Sequence, residues 1–235
     1  MKGSPQCDFC DEFSGGHDNA FSHRYADDPS DRILFATENF AVLPSLGQIV
    51  EGYLLIVPRE HFRTLADVGI NLMRELVNVK SSVQSALSAS YGPSAFFEHG
   101  ARSERSGGCG IYHAHLHAVP LRQEMAFIAR LNETFALKPI SGVERIGDAL
   151  GSNGSYLYYQ DFDAREYATR VDHLPSQYMR KLLADMLGQN NWDWRECGRE
   201  DALLSTLDKL AASFGSQASS CASPTTKASH EEAFY

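Results

Sequence analysis

Between Ile111 and Pro120 the chain reads Ile-Tyr-His-Ala-His-Leu-His-Ala-Val-Pro, and three of its nine histidines alternate there with small or apolar residues. Alternation at period two marks a half-buried strand, whose successive side chains leave opposite faces. Ala114, Leu116 and Ala118 would then enter a core, while His113, His115 and His117 stand in a row on the other face, neighbours roughly 7 Å apart. The run Ser106-Gly107-Gly108-Cys109-Gly110 leads into the row and suits a loop whose backbone approaches a ligand closely. Two chemistries fit such a row. Neutral imidazoles ligate metals, or one imidazole attacks phosphorus while the others position and protonate. The plain alternative is a strand with solvated histidines, and strict register behind a glycine loop argues against it.

The elements that must carry this row can be read upstream. Ile33 to Thr37 and Phe40 to Pro44 form two strands around a turn at Glu38-Asn39. Tyr53 to Pro58 is a continuous apolar run suited to a central strand, and Arg59-Glu60-His61 leaves its end. Leu65, Leu72, Leu76, Val79, Val83 and Leu87 recur at three- and four-residue spacing, a long amphipathic helix closed by Gly92-Pro93. Ala95 to Gly100 is a short strand opening onto the glycine loop. The order β-β-β-α-β-β predicts an α+β fold: a largely antiparallel five-stranded sheet with one long helix. Ahead of it, Cys7-Asp8-Phe9-Cys10 is half a zinc site or a redox pair, and Asp11 to Arg32 reads as a polar loop in which His17 and His23 are solvated.

Composition narrows the class. The chain is 43% hydrophobic and 22% charged over 235 residues, enough for a sizeable core. A net charge of −9 argues against a nucleic-acid or membrane surface, while a small anionic substrate can still be held by loop amides. No apolar stretch is long enough to span a bilayer. An odd set of five cysteines and the lack of an apolar leader lead us to expect a cytoplasmic protein with thiol or metal chemistry rather than disulfides.

His113-Ala114-His115-Leu116-His117-Ala118-Val119 resembles the signature of the histidine triad (HIT) family. Leu55 to His61 is similar to that family's preceding strand and proline-basic-x-His segment, and Cys7-x-x-Cys10 to the cysteine pair of many members. The resemblance covers about residues 5 to 122. It implies nucleotidyl transfer or hydrolysis at the α-phosphate of a nucleoside phosphate derivative, with His115 as the nucleophile that forms a covalent nucleotidyl-histidine. His117, with Cys109 and Gly110 of the loop, would contact the phosphate, and the chemical step would need no metal. It also implies a structural zinc on Cys7, Cys10, His61 and His113, a closed tetrahedral set. Leu43 and Leu46 would flank a base. Ser45 stands where many members place a ribose-binding aspartate, Gly110 where a serine is common, and Glu98 where an asparagine is usual. The intact third histidine tilts the reading towards hydrolysis, and a homodimer is the family habit.

The HIT-like domain is expected over residues 1–122, an α/β extension packing on it over 123–214, and a disordered tail over 215–235. In the extension, Phe127 to Leu137 and Val143 to Leu150 read as helical, and Tyr156 to Tyr159 with Tyr167 to Val171 as a strand pair. Ser176 would cap a helix stopped at Gly188. Trp192 and Trp194 either pack the extension down or form a lid, with Gln177 or Arg180 reaching the leaving group. Arg180 and Arg102 are the candidate phosphate cations. Two alternatives to the enzyme stand: a catalytically weak nucleotide-binding or sensing module with a structural zinc site, and a metalloenzyme with all three triad histidines on one ion.

Overall fold

The computed structural model describes residues 7–25, 31–102, 110–121, 127–147 and 155–218. Helices α1 (Asp8–Phe13) and α2 (Ala20–Tyr25) occupy the segment expected to be a loop. The signal for α2 was legible: Asn19 Oδ1 accepts the Ser22 N–H at 2.9 Å, a side-chain N-cap. Strands β1 (Phe35–Ala36), β2 (Phe40–Pro44) and β3 (Leu54–Pro58) follow as an antiparallel meander. A 3-10 turn at Leu65–Asp67 precedes helix α3 (Ile70–Ser90), so the expected helix starts later than its first leucine. Met73, Leu76, Val79, Val83, Ala86 and Leu87 are its buried stripe, at the three- and four-residue spacing one helix face demands. Gly92, at φ +105°, turns the chain into β4 (Ser94–Gly100).

Strand β5 (Leu116–Pro120) lies between β3 and β4. It begins at Leu116, so His113 and His115 stand just ahead of the regular strand. Beyond it come α4 (Phe127–Asn132), β6 (Lys138–Ile140), β7 (Ser155–Gln160) and β8 (Glu166–Val171). Helices α5 (Tyr178–Met186) and α6 (Glu200–Ala218) complete the described chain. The expected strand pair is β7 with β8. The helix expected over 127–137 stops at Asn132, and part of the one expected over 143–150 lies outside the described residues. Gln177, in the left-handed region at φ 57°, precedes α5 where Ser176 was expected as cap. Helix α6 was not anticipated, although Leu203, Thr206, Leu210 and Phe214 repeat at helical spacing and are all buried. It runs past the expected start of the tail at 215, and residues 219–235 lie outside those described.

The sheet has eight strands rather than five, in the order β1-β2-β3-β5-β4-β7-β8-β6, every pair antiparallel. The extension does not stand apart from it, because β7 pairs with β4 over five registered residues from Phe96↔Gln160 to Gly100↔Tyr156. Period two sorts the side chains into two apolar layers. Phe40, Val42, Leu54, Ile56, Phe96, Leu116, Ala118, Tyr156 and Tyr158 meet α3 and the end of α6. Ala41, Leu43, Tyr53, Leu55, Phe97, Val119, Leu157 and Tyr159 meet Phe9 of α1 and Met179, Leu182 and Leu183 of α5. Each large side chain taken from water this way contributes about 1.5–3 kcal/mol. Ala114, Leu116 and Ala118 face α3, as the alternation predicts. The opposite face is covered by the extension rather than open to solvent, so the histidines point into a second core.

Candidate active site and metal centre

Cys7 sits at the N-cap of α1 and Cys10 one turn later, so their sulfurs share a side of the helix. His61 follows the end of β3, and His113 precedes β5. Their ligand atoms, two Sγ and two Nδ1, all lie within 4.8 Å of one another. Cys7 Sγ is 3.3 Å from His113 Nδ1, Cys10 Sγ is 3.3 Å from His61 Nδ1, and Cys10 Sγ is 3.6 Å from His113 Nδ1. Sulfur and nitrogen on a tetrahedral zinc would be about 3.6 Å apart, given Zn–S near 2.3 Å and Zn–N near 2.0–2.1 Å. His113 Nε2 lies 2.7 Å from the Pro58 carbonyl, which can only accept. The proton is thereby held on Nε2, and Nδ1 presents its lone pair to the sulfurs, the second-shell arrangement a metal-binding imidazole wants. Burial and the neighbouring Cys7 push the Cys10 thiol up to about 12, so only a nearby cation would draw out its thiolate. The residues fit a zinc ion.

His115 points the other way. Its Nδ1 donates to the His113 carbonyl at 2.6 Å, leaving the Nε2 lone pair unused by the backbone. Burial, with the Arg180 cation nearby, holds the His115 imidazole down to about 4, so at neutral pH the ring is uncharged. His117 shares a 2.7 Å hydrogen bond between Nδ1 and Tyr53 Oη and stacks on Phe97 at 4.5 Å between centroids. The His115 and His117 rings are 4.7 Å apart, well inside the 7 Å that backbone spacing suggests, because the rings lean together. Phe9 contacts both His113 and His115 edge-on, at 5.6 and 5.7 Å. His99 stands on the same sheet face two residues after Phe97, buried, and neither ring nitrogen has a hydrogen-bond partner among the described residues.

A cavity of about 30 Å³ opens beside His115 and His117, walled also by Phe9, Arg32, Ser45, Leu46, Leu55, Ile111, Arg180 and Trp194. That is about one water molecule's share of liquid volume, far below the 300 Å³ or more of a typical small-molecule site. A larger cavity of about 850 Å³ lies elsewhere, near Glu51, Tyr91, Arg199 and Lys209, and none of the histidines lines it. The extension supplies Arg180 and Trp194 to the walls of the histidine cavity. Arg24 of α2 fastens the closing loop by donating to the carbonyls of Trp194 at 3.1 Å and Arg195 at 3.0 Å. Gly47, at φ +58°, lies so close to the loop that a Cβ there would come within 2.7 Å of Trp194 Cα.

The predicted site residues divide accordingly. Ser45, Leu46, His115 and His117 meet at the cavity, and Cys7, Cys10, His61 and His113 meet beside it. Leu43 does not line the cavity and belongs to the apolar layer beneath it. Gly110 lies at φ +91°, a left-handed backbone that strains any side-chain-bearing residue, which accounts for glycine there. Cys109 lies outside the described residues. Glu98 is a correction: β4 alternation sends it to the α3 face, away from the histidines. There it accepts the Leu65 N–H at 3.0 Å and the Tyr156 hydroxyl. Arg102 pairs with Asp67 at 2.9 Å and does not line the cavity. Sequence reasoning missed Tyr53, Phe9 and Arg32 at the site. Only the apolar run containing Tyr53 offered any local signal.

Comparison with known proteins adds the following. Residues 28–124 match the family profile of the HIT domain. No curated protein sequence matches the chain. Among solved structures, a hypothetical histidine triad nucleotide-binding protein from Sulfolobus tokodaii is 23% identical, with a TM-score of 0.35. That overlap covers 40% of this chain and 62% of the other, so the chain spans less than two thirds of that protein's length. A Zn-bound histidine triad family protein from Mycobacterium smegmatis is 20% identical over 52% of this chain and 78% of its own, with a TM-score of 0.38. A HIT family hydrolase from Clostridium thermocellum is 13% identical over 52% of this chain and 97% of its own, with a TM-score of 0.37.

Proposed function

For a chain whose residues 28–124 match the HIT domain profile, we propose nucleotide hydrolysis or nucleotidyl transfer through a nucleotidyl-His115 intermediate. The observation that carries this reading is the His115 tautomer: Nδ1–H is committed to the His113 carbonyl, and Nε2 is the basic atom. In the first step the Nε2 lone pair attacks the α-phosphorus and a P–N bond forms. The bond to the leaving group breaks, and that group departs with its electron pair and takes up a proton. Water, or a second acceptor, then forms a new P–O bond and releases His115 as neutral imidazole. With Tyr53 donating to His117 Nδ1, the His117 proton sits on Nε2, from which it can be donated to a phosphoryl oxygen. Cys7, Cys10, His61 and His113 would hold a zinc ion. Its contribution is structural, fixing α1 against β5 and the His113 carbonyl against His115.

The test is a panel of nucleoside polyphosphates, adenylates, phosphoramidates and nucleotide sugars, followed by mass spectrometry of the protein. A nucleotidyl adduct on His115 is expected, and His115→Asn should lower turnover by roughly 10⁴-fold or more while melting like the wild type. An active His115→Asn protein would sink the reading. The second reading, a binding module with little catalysis, is favoured by Ser45, which lines the cavity where the family resemblance leads one to expect a ribose-binding aspartate. Tight nucleotide binding with neither turnover nor adduct would select it.

A further inference from the structure

Arg180 heads the largest fully buried side chains, at 1% exposure. Arginine is almost never buried to this extent unless an anion pairs with it. From α5 it reaches the turn after β2, 135 residues away in sequence, and donates from Nη1 to Ser45 Oγ at 3.0 Å. Nε donates to the Trp192 carbonyl at 2.9 Å and Nη2 to the Gly47 carbonyl. The guanidinium lies over the Tyr53 ring, 5.2 Å from its centroid. All of these partners are neutral. Asp193 feels the Arg180 charge without a hydrogen bond to it; its Oδ1 accepts instead from Gln177 Nε2 at 2.7 Å and the Arg195 N–H at 2.9 Å. Arg32, on the same cavity wall, makes the contrast: its Nε and Nη2 are both matched at 2.8 Å by the two oxygens of Glu12. Three of the five Arg180 N–H groups are used, and among the described residues no carboxylate pairs with the charge.

We propose that Arg180 is the counter-charge for the substrate's phosphate, so that the extension supplies a binding residue and completes the site of the HIT domain. The cavity it shares with His115 and His117 holds the missing anion. This inference rests on the proposed nucleotide chemistry. Its rival is a clasp, in which Arg180 only fastens α5 to the Ser45–Gly47 turn.

Calorimetry on the full chain separates the two, using adenosine, AMP and inorganic phosphate as probes against wild type, Arg180→Lys and Arg180→Gln. The advantage of AMP over adenosine should fall about ten-fold or more in Arg180→Gln, adenosine affinity should change little, and Arg180→Lys should recover part of the loss. Protection of the wild type by inorganic phosphate against thermal unfolding should disappear in Arg180→Gln. An unchanged AMP advantage in Arg180→Gln overturns the proposal, as does an equal loss for both ligands. If Arg180→Gln does not fold, a crystal structure of wild type with AMP decides: a phosphoryl oxygen within hydrogen-bond distance of an Arg180 nitrogen supports the proposal, and none overturns it. The parent reading fails separately, by the lack of an adduct on His115 while phosphate protection remains dependent on Arg180.

Discussion

Glu98 shows how one step along a strand changes a residue's chemistry. Buried on the α3 face, with the Tyr156 hydroxyl and the Leu65 amide as partners, its carboxyl is pushed up to about 8, chiefly by burial. A folded-state pKa above the unfolded value means that the neutral acid stabilises the fold fully below about pH 4.5, and that this contribution is lost as pH rises through 8. Glu98→Gln cannot ionise. Relative to wild type, its urea midpoint should therefore rise between pH 5 and pH 8, with a slope of at most about 1.4 kcal/mol per pH unit. Parallel stability profiles for the two proteins would show that Glu98 is ionised throughout. The family resemblance had placed Glu98 near the substrate. Its register opposite Tyr158 in β7, set by pairing with a distant strand, puts it on the other face.

Helix α1 spans only six residues, too few to persist on helical hydrogen bonds alone. What holds it are Phe9, buried against His113 and His115, and the two cysteines facing His61 and His113. Cys7→Ser/Cys10→Ser should lose one zinc per chain by elemental analysis. It should also melt roughly 10 °C lower, at about 2–4 °C per kcal/mol for a chain of this size. Full zinc retention would instead favour one ion on all three triad histidines, an arrangement that the committed Nδ1 atoms of His115 and His117 do not prepare. The helix could not be read from composition, because its stability comes from groups 51 and 103 residues away. Helix α3 was legible, because its apolar stripe is written locally.

At the scale of the molecule, one sheet is shared by the HIT domain and the extension. Strand β4 would lose its outer neighbour β7 if the chain ended after Leu121, and Leu55, Phe97 and Val119 would lose the cover of α5. Such a truncation should bind a hydrophobic dye strongly and lack near-ultraviolet dichroism, and an exposed β4 edge should drive association. A soluble fragment with sharp aromatic dichroism would show instead that the first 122 residues fold alone. Among the described residues no helix is long and apolar enough to cross a membrane.

The order of the first five strands and the alternation of the histidine row were written in the sequence, and the four candidate metal ligands followed from the family resemblance. Period-two alternation and residue chemistry are local properties, and they survive whatever the rest of the chain does. Only the tertiary structure decided that the histidine face is buried, that the sheet continues into β7, β8 and β6, and that Glu98 lies away from the site. Sequence reasoning had named Arg180 a candidate cation, but its seat beside His115 and Ser45 depends on contact across 135 residues. Such contacts follow from how layers cover one another, and no local pattern encodes which face the extension will close.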